Sequence, residues 1–379
     1  MSEPFEPRFG EGLCQAREIG PGRVDASVYS DPRRWELERE RLFPRVWLIV
    51  DRAEVVPEAG DYLLWERSGQ TVVIARQDDG SLAAFHNVCQ HRGARIVSAS
   101  GHSEGRRLVC RWHGFGYDLR GRVAHIPPRG QSFSPADVAD LCAPAVAVEE
   151  WAGFIWINYA GERAEPLREY LAEVGDELDG YGIQDWKTYG GDAWEVPSNW
   201  KTTLDGFMEA WHTPTAHVKT LRGGFRYDET QFTCFDRHSM MVVPLEGIDL
   251  DALPQPIDHR EHLYNHYLTF PNTIWSVFPH HAQVITVSPI DHARCYLQGW
   301  VMSRREAPPG VPQEKWERSN TTAVTHFRRV TSEDMWISSE AGATLRSYGY
   351  RRNILNEAEC RITAYYQVLE RYLSGESAA

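Results

Sequence analysis

Short β-prone runs separated by turn material dominate the first half of the chain. Tyr62–Trp65, Thr71–Ala75 and Leu82–Phe85 read as strands, with Gly69-Gln70 and Asp79-Gly80 turning between them. GFIWINY, over Gly153–Tyr159, reads as a buried strand. Ahead of these runs, Asp31-Pro32 opens a helix through RRWELERERLF that ends before Pro44, because proline is favoured in a first helical turn. Residues 161–195 are acidic and mixed, with a helix over Leu167–Leu178, and a further helix covers roughly Trp200–His212. A second β-rich region follows: Met240–Val243, Tyr267–Phe270, Thr273–Phe278, Gln283–Ser288 and Cys295–Met302. Within it, the polar stretch Asp249–His262, carrying Pro254 and Pro256, reads as a loop. From Glu314 to Leu373 the period is helical, broken near Ser347–Arg351, and there is no internal repeat or low-complexity run. The pattern divides the chain into three stretches: a helical segment over residues 1–44, expected to pack on the C-terminal domain, a small β domain over 45–160, and a larger domain over 161–379.

Composition narrows the class without naming it. With 379 residues, 42 % hydrophobic and 25 % charged, the chain can bury two ordinary cores. A net charge of −13 argues against a nucleic-acid binder. One segment breaks the trend. Arg92, Arg95, Arg106, Arg107, Arg111, Arg120, Arg122 and Arg129 fall within 38 residues that hold no lysine, opposed only by Glu104 and Asp118. This segment is either a docking face for an acidic electron-transfer partner or a solvated surface. MSEPFEPRFGEGL lacks a basic stretch followed by an apolar run, so no signal peptide is expected, and the apolar runs are strand-sized, so no membrane span is expected. Of seven cysteines, five (Cys14, Cys142, Cys234, Cys295, Cys360) are scattered, which suits free thiols in the cytoplasm.

Two sets of metal-ligand residues carry the chemistry. Cys89-x-His91 is followed, after 18 residues, by Cys110-x-x-His113, and each hook has a glycine just beyond it, Gly93 and Gly114. A zinc site built from two cysteines and two histidines is the structural alternative. Zinc sites pair like with like, whereas each hook here mixes one thiolate with one imidazole. That mixture suits a [2Fe–2S] cluster in which one iron takes both cysteines and the other both histidines. The second set lies in Asn199-Trp200-Lys201 and the following TTLDGFMEAWHTPTAH. On a helix, Asp205, Glu209 and His212 share a face, and Pro214 stops the helix so that His217 can turn back toward His212. Two histidines among carboxylates suit a lone ferrous ion; the zinc-protease pattern His-Glu-x-x-His is missing.

NVCQHRG and CRWHGFGYDLRG resemble the Rieske motif of the Rieske non-haem iron oxygenases, the large (alpha) subunits of aromatic-ring-hydroxylating systems. The resemblance covers nearly the whole chain. It implies an α+β fold, with a β-rich Rieske [2Fe–2S] domain beside a catalytic domain whose antiparallel sheet is covered by helices. It also implies that Cys89 and Cys110 hold one iron of the cluster and His91 and His113 the other. Trp112 is placed to shield the cluster, with core packing as the alternative. EAWHTPTAH is similar to the family's mononuclear-iron motif, which makes His212 and His217 ligands of Fe(II) and puts Glu209 in the place of the carboxylate that bridges to a neighbouring subunit's cluster. Many ring dioxygenases carry aspartate there, and glutamate is common in the branch with demethylating monooxygenases. Asp205 and Asn199 join Glu209 as catalytic candidates, and Gly206 departs from the family's usual asparagine. The third ligand is expected from an acidic pair opening a downstream helix: Asp334, with Glu333 or Glu340 as alternatives.

The implied activity is hydroxylation or oxidative demethylation of a small aromatic or alicyclic compound, with O2 and with electrons from NAD(P)H through a ferredoxin or reductase. Cis-dihydroxylation and N-demethylation of a betaine-like quaternary ammonium are the alternatives. A homotrimer is implied; a beta subunit is left open. Trp211, Phe225, Tyr227, Phe270, Trp275, Phe278 and Trp300 are the aromatic candidates for a substrate pocket, or else core.

Overall fold

The computed structural model describes residues 19–128, 133–138, 141–221 and 223–375; Cys14, Arg129 and the MSEPFEPRFGEGL stretch lie outside them. The chain forms two compact units, one of Leu42–Tyr170 and one of Met1–Arg41 with Leu171–Ala379. The six described cysteines are free thiols.

The Leu42–Tyr170 unit is built on a seven-stranded antiparallel sheet. Its strands lie in the order Leu48–Arg52, Phe154–Asn158, Ala145–Trp151, Leu82–His86, Gln70–Arg76, Asp61–Arg67, Gly101–His102. Each strand expected from the pattern is present: the three β-prone runs are one to three residues longer, and the expected Gly153–Tyr159 is one residue shorter at each end. A three-stranded sheet of Arg107–Val109, Gly116–Asp118 and Val123–His125 completes the unit. Val73, Ala75 and Phe85 from the large sheet pack with Leu108 and Tyr117 from the small one. Cys89 and Cys110 belong to that same core, so the packing that stabilises the unit also fixes both hooks.

The other unit carries a second seven-stranded antiparallel sheet, with strands numbered in chain order: β1 Lys187–Val196, β2 Gln231–Cys234, β3 Ser239–Val243, β4 Tyr264–Thr269, β5 Thr273–Val277, β6 His281–Asp291 and β7 Arg294–Ser303. Their spatial order is β1-β7-β6-β5-β4-β3-β2, so β2 to β7 form a meander of neighbours. The helices are α1 Trp200–Asp205, α2 Gln313–Thr344 and α3 Cys360–Ser374. Strand β1 was not evident in the pattern, which read as acidic and mixed. Its residues are mostly half-buried, and Gly190-Gly191 interrupts the β-prone run. The glycine has a packing reason: a Cβ on Gly191 would lie 2.0 Å from the carbonyl oxygen of Gly299 on β7.

The N-terminal helix is α-helical only over Pro32–Leu37, where Asp31 accepts a hydrogen bond from the Arg33 N–H. It continues as a π turn over Glu38–Leu42. That turn begins at Glu38, whose fully buried carboxylate accepts from Lys201 Nζ at 2.6 Å and Trp200 Nε1 at 2.9 Å. The expected break in the C-terminal helical region is a strand, Arg352–Leu355, paired with Gly22–Asp25.

Candidate metal centres

Both hooks of the small unit are tight turns. The carbonyl of Cys89 accepts from the Gly93 N–H at 2.8 Å, and that of Cys110 from the Gly114 N–H at 3.0 Å. Gly93 and Gly114 adopt φ of +74° and +82°, a conformation that costs other residues more. The thiols are 2 % and 1 % exposed, and burial pushes the Cys110 thiol above its ordinary value. The His91 and His113 rings lie 4.5 Å apart, and the Nδ1 of His91 is a buried polar atom with no hydrogen-bond partner. An orphaned buried nitrogen is costly unless something binds it. Among the described residues, no three of these four donors come within 4.8 Å of one another, since the one set that does lies in the other unit. Bond lengths of about 2.0–2.3 Å to a single tetrahedral zinc would bring all four closer than that. The donors therefore fit a cluster with two separated irons better than one ion.

Trp112 is 53 % exposed, which removes core packing as its role; its ring lies 4.9 Å from that of His113, with the Arg92 guanidinium 4.3 Å over its face. Of the arginine-rich segment, Arg95, Arg106 and Arg120 pair with Glu66, Asp78 and Asp79. The Tyr117 hydroxyl donates to Cys89 Sγ at 3.2 Å and accepts from the Gln90 N–H at 2.9 Å. If Cys89 ligates the cluster, a donor on its sulfur would favour the reduced state. With the cluster loaded, Tyr117→Phe should lower its potential by roughly 40 mV, the one-electron equivalent of a hydrogen bond worth ~1 kcal/mol. Protein-film voltammetry reads this directly.

The second set differs from expectation in its local structure. Helix α1 ends at Asp205, with Gly206 as its C-cap, and does not continue to His212. The shared face is therefore absent. Asp205 instead accepts from the hydroxyls of Tyr29 at 2.7 Å and Tyr366 at 3.1 Å. Pro214 lies in the first turn of a short helix, Thr213–Ala216, so it starts a helix where it was expected to stop one. Asn199 caps α1, accepting from the Lys201 N–H and donating to the His292 carbonyl. Neither Asn199 nor Asp205 lines the cavity described below.

The turn-and-helix arrangement still brings His212 and His217 together, and α2 supplies the third donor. Asp334 Oδ1 lies 2.9 Å from His217 Nε2 and 3.6 Å from His212 Nε2. The acidic pair sits in the middle of the 32-residue α2, not at its start. Glu333 does not join the cluster of donors. It accepts from His217 Nδ1 at 2.8 Å and from the Thr220 hydroxyl at 2.6 Å. Glu209 plays the matching part for His212: its carboxylate meets Nδ1 and accepts from the His212 N–H at 3.0 Å. Each imidazole thus has a carboxylate behind it and Nε2 toward Asp334, the arrangement that orients metal-binding histidines. Glu340, six residues along α2, is exposed.

The electrostatics agree with a cation site. Burial alone would depress His212, but Asp334 and Glu209 outweigh it and raise the imidazole to about 10. His217 is raised by the same balance, and the two imidazoles hold Asp334 below the usual carboxylate range despite its burial. The negative charge that raises both imidazoles is the charge that would hold a metal cation at their Nε2 atoms. Two imidazole nitrogens and one carboxylate oxygen within 4.8 Å match a two-histidine, one-carboxylate ferrous site.

Beside this triad lies a cavity of about 310 Å³. Its aromatic wall is Phe207, Phe225, Tyr227, Tyr264 and Phe278, with ring centroids 4.6 Å apart for Tyr264 and Phe278. Three of the seven aromatics singled out in the sequence line it. Phe270 and Trp275 are buried core, Trp300 is nearly so, and Trp211 is 64 % exposed. Phe207, Tyr264, His266 and His281 were missed, because each lies in a run that reads only as structure.

Away from the cavity, burial pushes the Asp205 carboxyl up to about 7 against the opposing effect of its two tyrosine donors. A folded-state value above the ordinary 3.8 means the folded protein holds a proton that the unfolded chain gives up. Stability of this unit should therefore be greatest below pH 3.8 as far as Asp205 is concerned, and decline as pH rises through about 7. Urea unfolding at several pH values should show this slope, and Asp205→Asn should flatten it.

Residues 183–375 match the ring hydroxylating alpha subunit family (catalytic domain), and residues 46–144 match the Rieske [2Fe-2S] domain. The chain belongs to the ring-hydroxylating alpha-subunit family. This alpha-subunit chain is 31 % identical over 215 residues to the alpha subunit of benzene 1,2-dioxygenase from Pseudomonas putida, a match covering 55 % of the chain and 47 % of that protein. It thus spans about half the length of that relative. It is 30 % identical over 291 residues to the carnitine monooxygenase oxygenase subunit of Escherichia coli K12, covering 66 % of this chain and 75 % of the relative. In fold it is similar to a crystal structure of a quaternary ammonium Rieske monooxygenase, with a TM-score of 0.78 at 22 % identity over 94 % of this chain and 97 % of that one. Among the described residues, no helix is long and apolar enough to cross a membrane.

Proposed function

We propose that this chain is the oxygenase component of a Rieske non-haem iron system that hydroxylates or oxidatively demethylates a small aromatic or alicyclic compound. The observation that carries this reading is the convergence of His212, His217 and Asp334 beside an aromatic-walled cavity. A ferrous ion held there, fed electrons from a Rieske cluster on Cys89, Cys110, His91 and His113, would activate O2. In the balanced reaction one oxygen atom enters a C–H bond and the other leaves as water. Two electrons and two protons come from NAD(P)H and solvent through a ferredoxin or reductase. Where the attacked carbon is a methyl on oxygen or nitrogen, the hydroxymethyl product sheds formaldehyde.

The residues of the chain divide the remaining work. Glu209 and Glu333 hold the imidazoles in one tautomer, and Phe225, Tyr264 and Phe278 exclude water and orient a flat or bulky apolar group. The same aromatic faces suit a quaternary ammonium, which keeps betaine demethylation as a second reading alongside the carnitine-oxidising relative. Trp211 and Trp336, 64 % and 66 % exposed, border the surface beside His212, which supports coverage by a neighbouring subunit in a homotrimer.

Purified protein should be brown, carry acid-labile sulfide, and release stoichiometric product from one class in a panel of arenes, aryl ethers and betaines when supplied with reductase and NADH. A colourless protein without labile sulfide after anaerobic reconstitution sinks the proposal. Sedimentation checks the trimer. Electron delivery that slows steeply with salt would support docking on the arginine-rich segment.

A further inference from the structure

Buried Arg361, on α3, has no carboxylate partner among the described residues. It is fully buried, yet its guanidinium donates only to neutral groups: Ser239 Oγ at 3.0 Å, the Met208 carbonyl at 3.4 Å and His266 Nδ1 at 3.1 Å. A buried cation without an anion is expensive, and a fold that merely needed to fill this space would place an apolar side chain there. The geometry decides the state of His266. Arginine has donors only, so Nδ1 must accept and the proton of the neutral imidazole must sit on Nε2. His266 is 3 % exposed and lines the cavity shared with His212, His217 and Asp334, and its Nε2–H has no acceptor among the described residues.

The residues beside it extend the same chemistry. In the sheet register His266 on β4 lies opposite Ser276 on β5, and Ser276 opposite Gln283 on β6, so the three side chains form a row across one face. All three line the cavity. The Ser276 hydroxyl accepts from Tyr264 at 3.1 Å, which leaves its own proton to donate, and the Gln283 amide has no partner among the described residues. Three uncharged donors in a row on the sheet face of the cavity, beside Phe225, Tyr264 and Phe278, would be left unpaired by a bare hydrocarbon, and a site built this way rejects ligands that lack the matching acceptor.

We propose that His266 is a substrate-binding residue whose Nε2–H, fixed by Arg361, holds an uncharged oxygen acceptor (a carbonyl, ether or hydroxyl) on the substrate. The assignment rests on the oxygenase reading and refines its substrate class from any small apolar compound to an oxygen-bearing one. Arg361 is a positioning residue. It fixes the tautomer, and burial together with its charge holds His266 well below the usual histidine range, so the donor stays neutral.

The test uses acetophenone and its near-isostere cumene, bound to the iron-loaded protein under anaerobic conditions without reductant, so that binding is read apart from turnover. Calorimetry should show His266→Leu weakening acetophenone by about ten-fold, the equivalent of one hydrogen bond, while cumene binding changes less than about two-fold. Infrared difference spectra should show the acetophenone carbonyl stretch at lower frequency in wild type than in His266→Leu. His266→Gln, which keeps a side-chain N–H, should restore part of both effects, and Arg361→Gln should lose part of the carbonyl shift by freeing the tautomer. An unchanged carbonyl band and affinity in His266→Leu would overturn the proposal, as would wild-type protein that binds cumene but not acetophenone. If the binding difference holds while no product forms with any donor, the role of His266 stands and the oxygenase reading fails.

Discussion

Asp334→Ala should leave the iron–sulfur cluster at full occupancy while the protein loses its mononuclear iron and more than about 100-fold of its activity. Among the described residues, Asp334 is the one carboxylate within reach of both Nε2 atoms, at 2.9 and 3.6 Å. Without it, two neutral imidazoles remain and the site loses the negative charge that holds a dication. Glu333→Gln is the discriminating control. Its partner is the far nitrogen of His217, so the donor set survives and the loss should be closer to ten-fold, through a misoriented ring. Glu340→Ala should change nothing. Iron and labile sulfide assayed on the same samples separate these outcomes. Iron retention in Asp334→Ala with loss in Glu333→Gln would exchange the two roles.

Glu209→Gln should leave the cluster reducible at its normal rate while product formation falls about 100-fold. The Glu209 carboxylate accepts from the His212 backbone N–H and faces Nδ1, so it sets where the imidazole points. Glutamine preserves the shape but removes the charge that stabilises the N–H form of that nitrogen. Single-turnover experiments with pre-reduced cluster separate a slow electron transfer from loss of iron, since iron content is measured independently. Glu209→Asp, which keeps the charge on a shorter arm, should recover part of the rate. Full turnover in the glutamine variant would remove Glu209 from the electron path.

The motifs were legible because their spacing reflects local turns. Cys89, His91, Cys110 and His113 need only two short hooks, and glycines at positive φ mark where each hook closes. Four strands of the small unit were legible for the same reason, since alternation and turn residues are local, whereas Leu48–Arg52, Ala145–Trp151 and the short strands near the hooks were not read. What failed was nonlocal. A helix was expected from Trp200 to His212 because its residues tolerate one. Instead α1 stops at Gly206, where Asp205 is drawn to Tyr29 and Tyr366, residues 176 and 161 positions away. Glu333 and Asp334 are adjacent and chemically alike, and only the rotation of α2 decides which meets the two Nε2 atoms and which meets the far nitrogen of His217. Strand β1 is placed by its pairing with β7, where Gly191 lies close to Gly299, and not by its own period. The pairing of Arg361 with His266 joins residues 95 apart and carries no motif at all.

The triad and the cavity wall come from different parts of the framework. His212, His217 and Asp334 come from one turn-rich segment and one long helix, whereas Met241, His266, Ser276, Gln283 and Ile285 project from successive strands of one sheet. Exchanging a strand residue therefore alters what fits without touching what holds the iron. Such a division favours evolvability: selectivity can drift at constant reactivity. A combinatorial library confined to those strand positions should yield many variants with normal iron content and redrawn preferences.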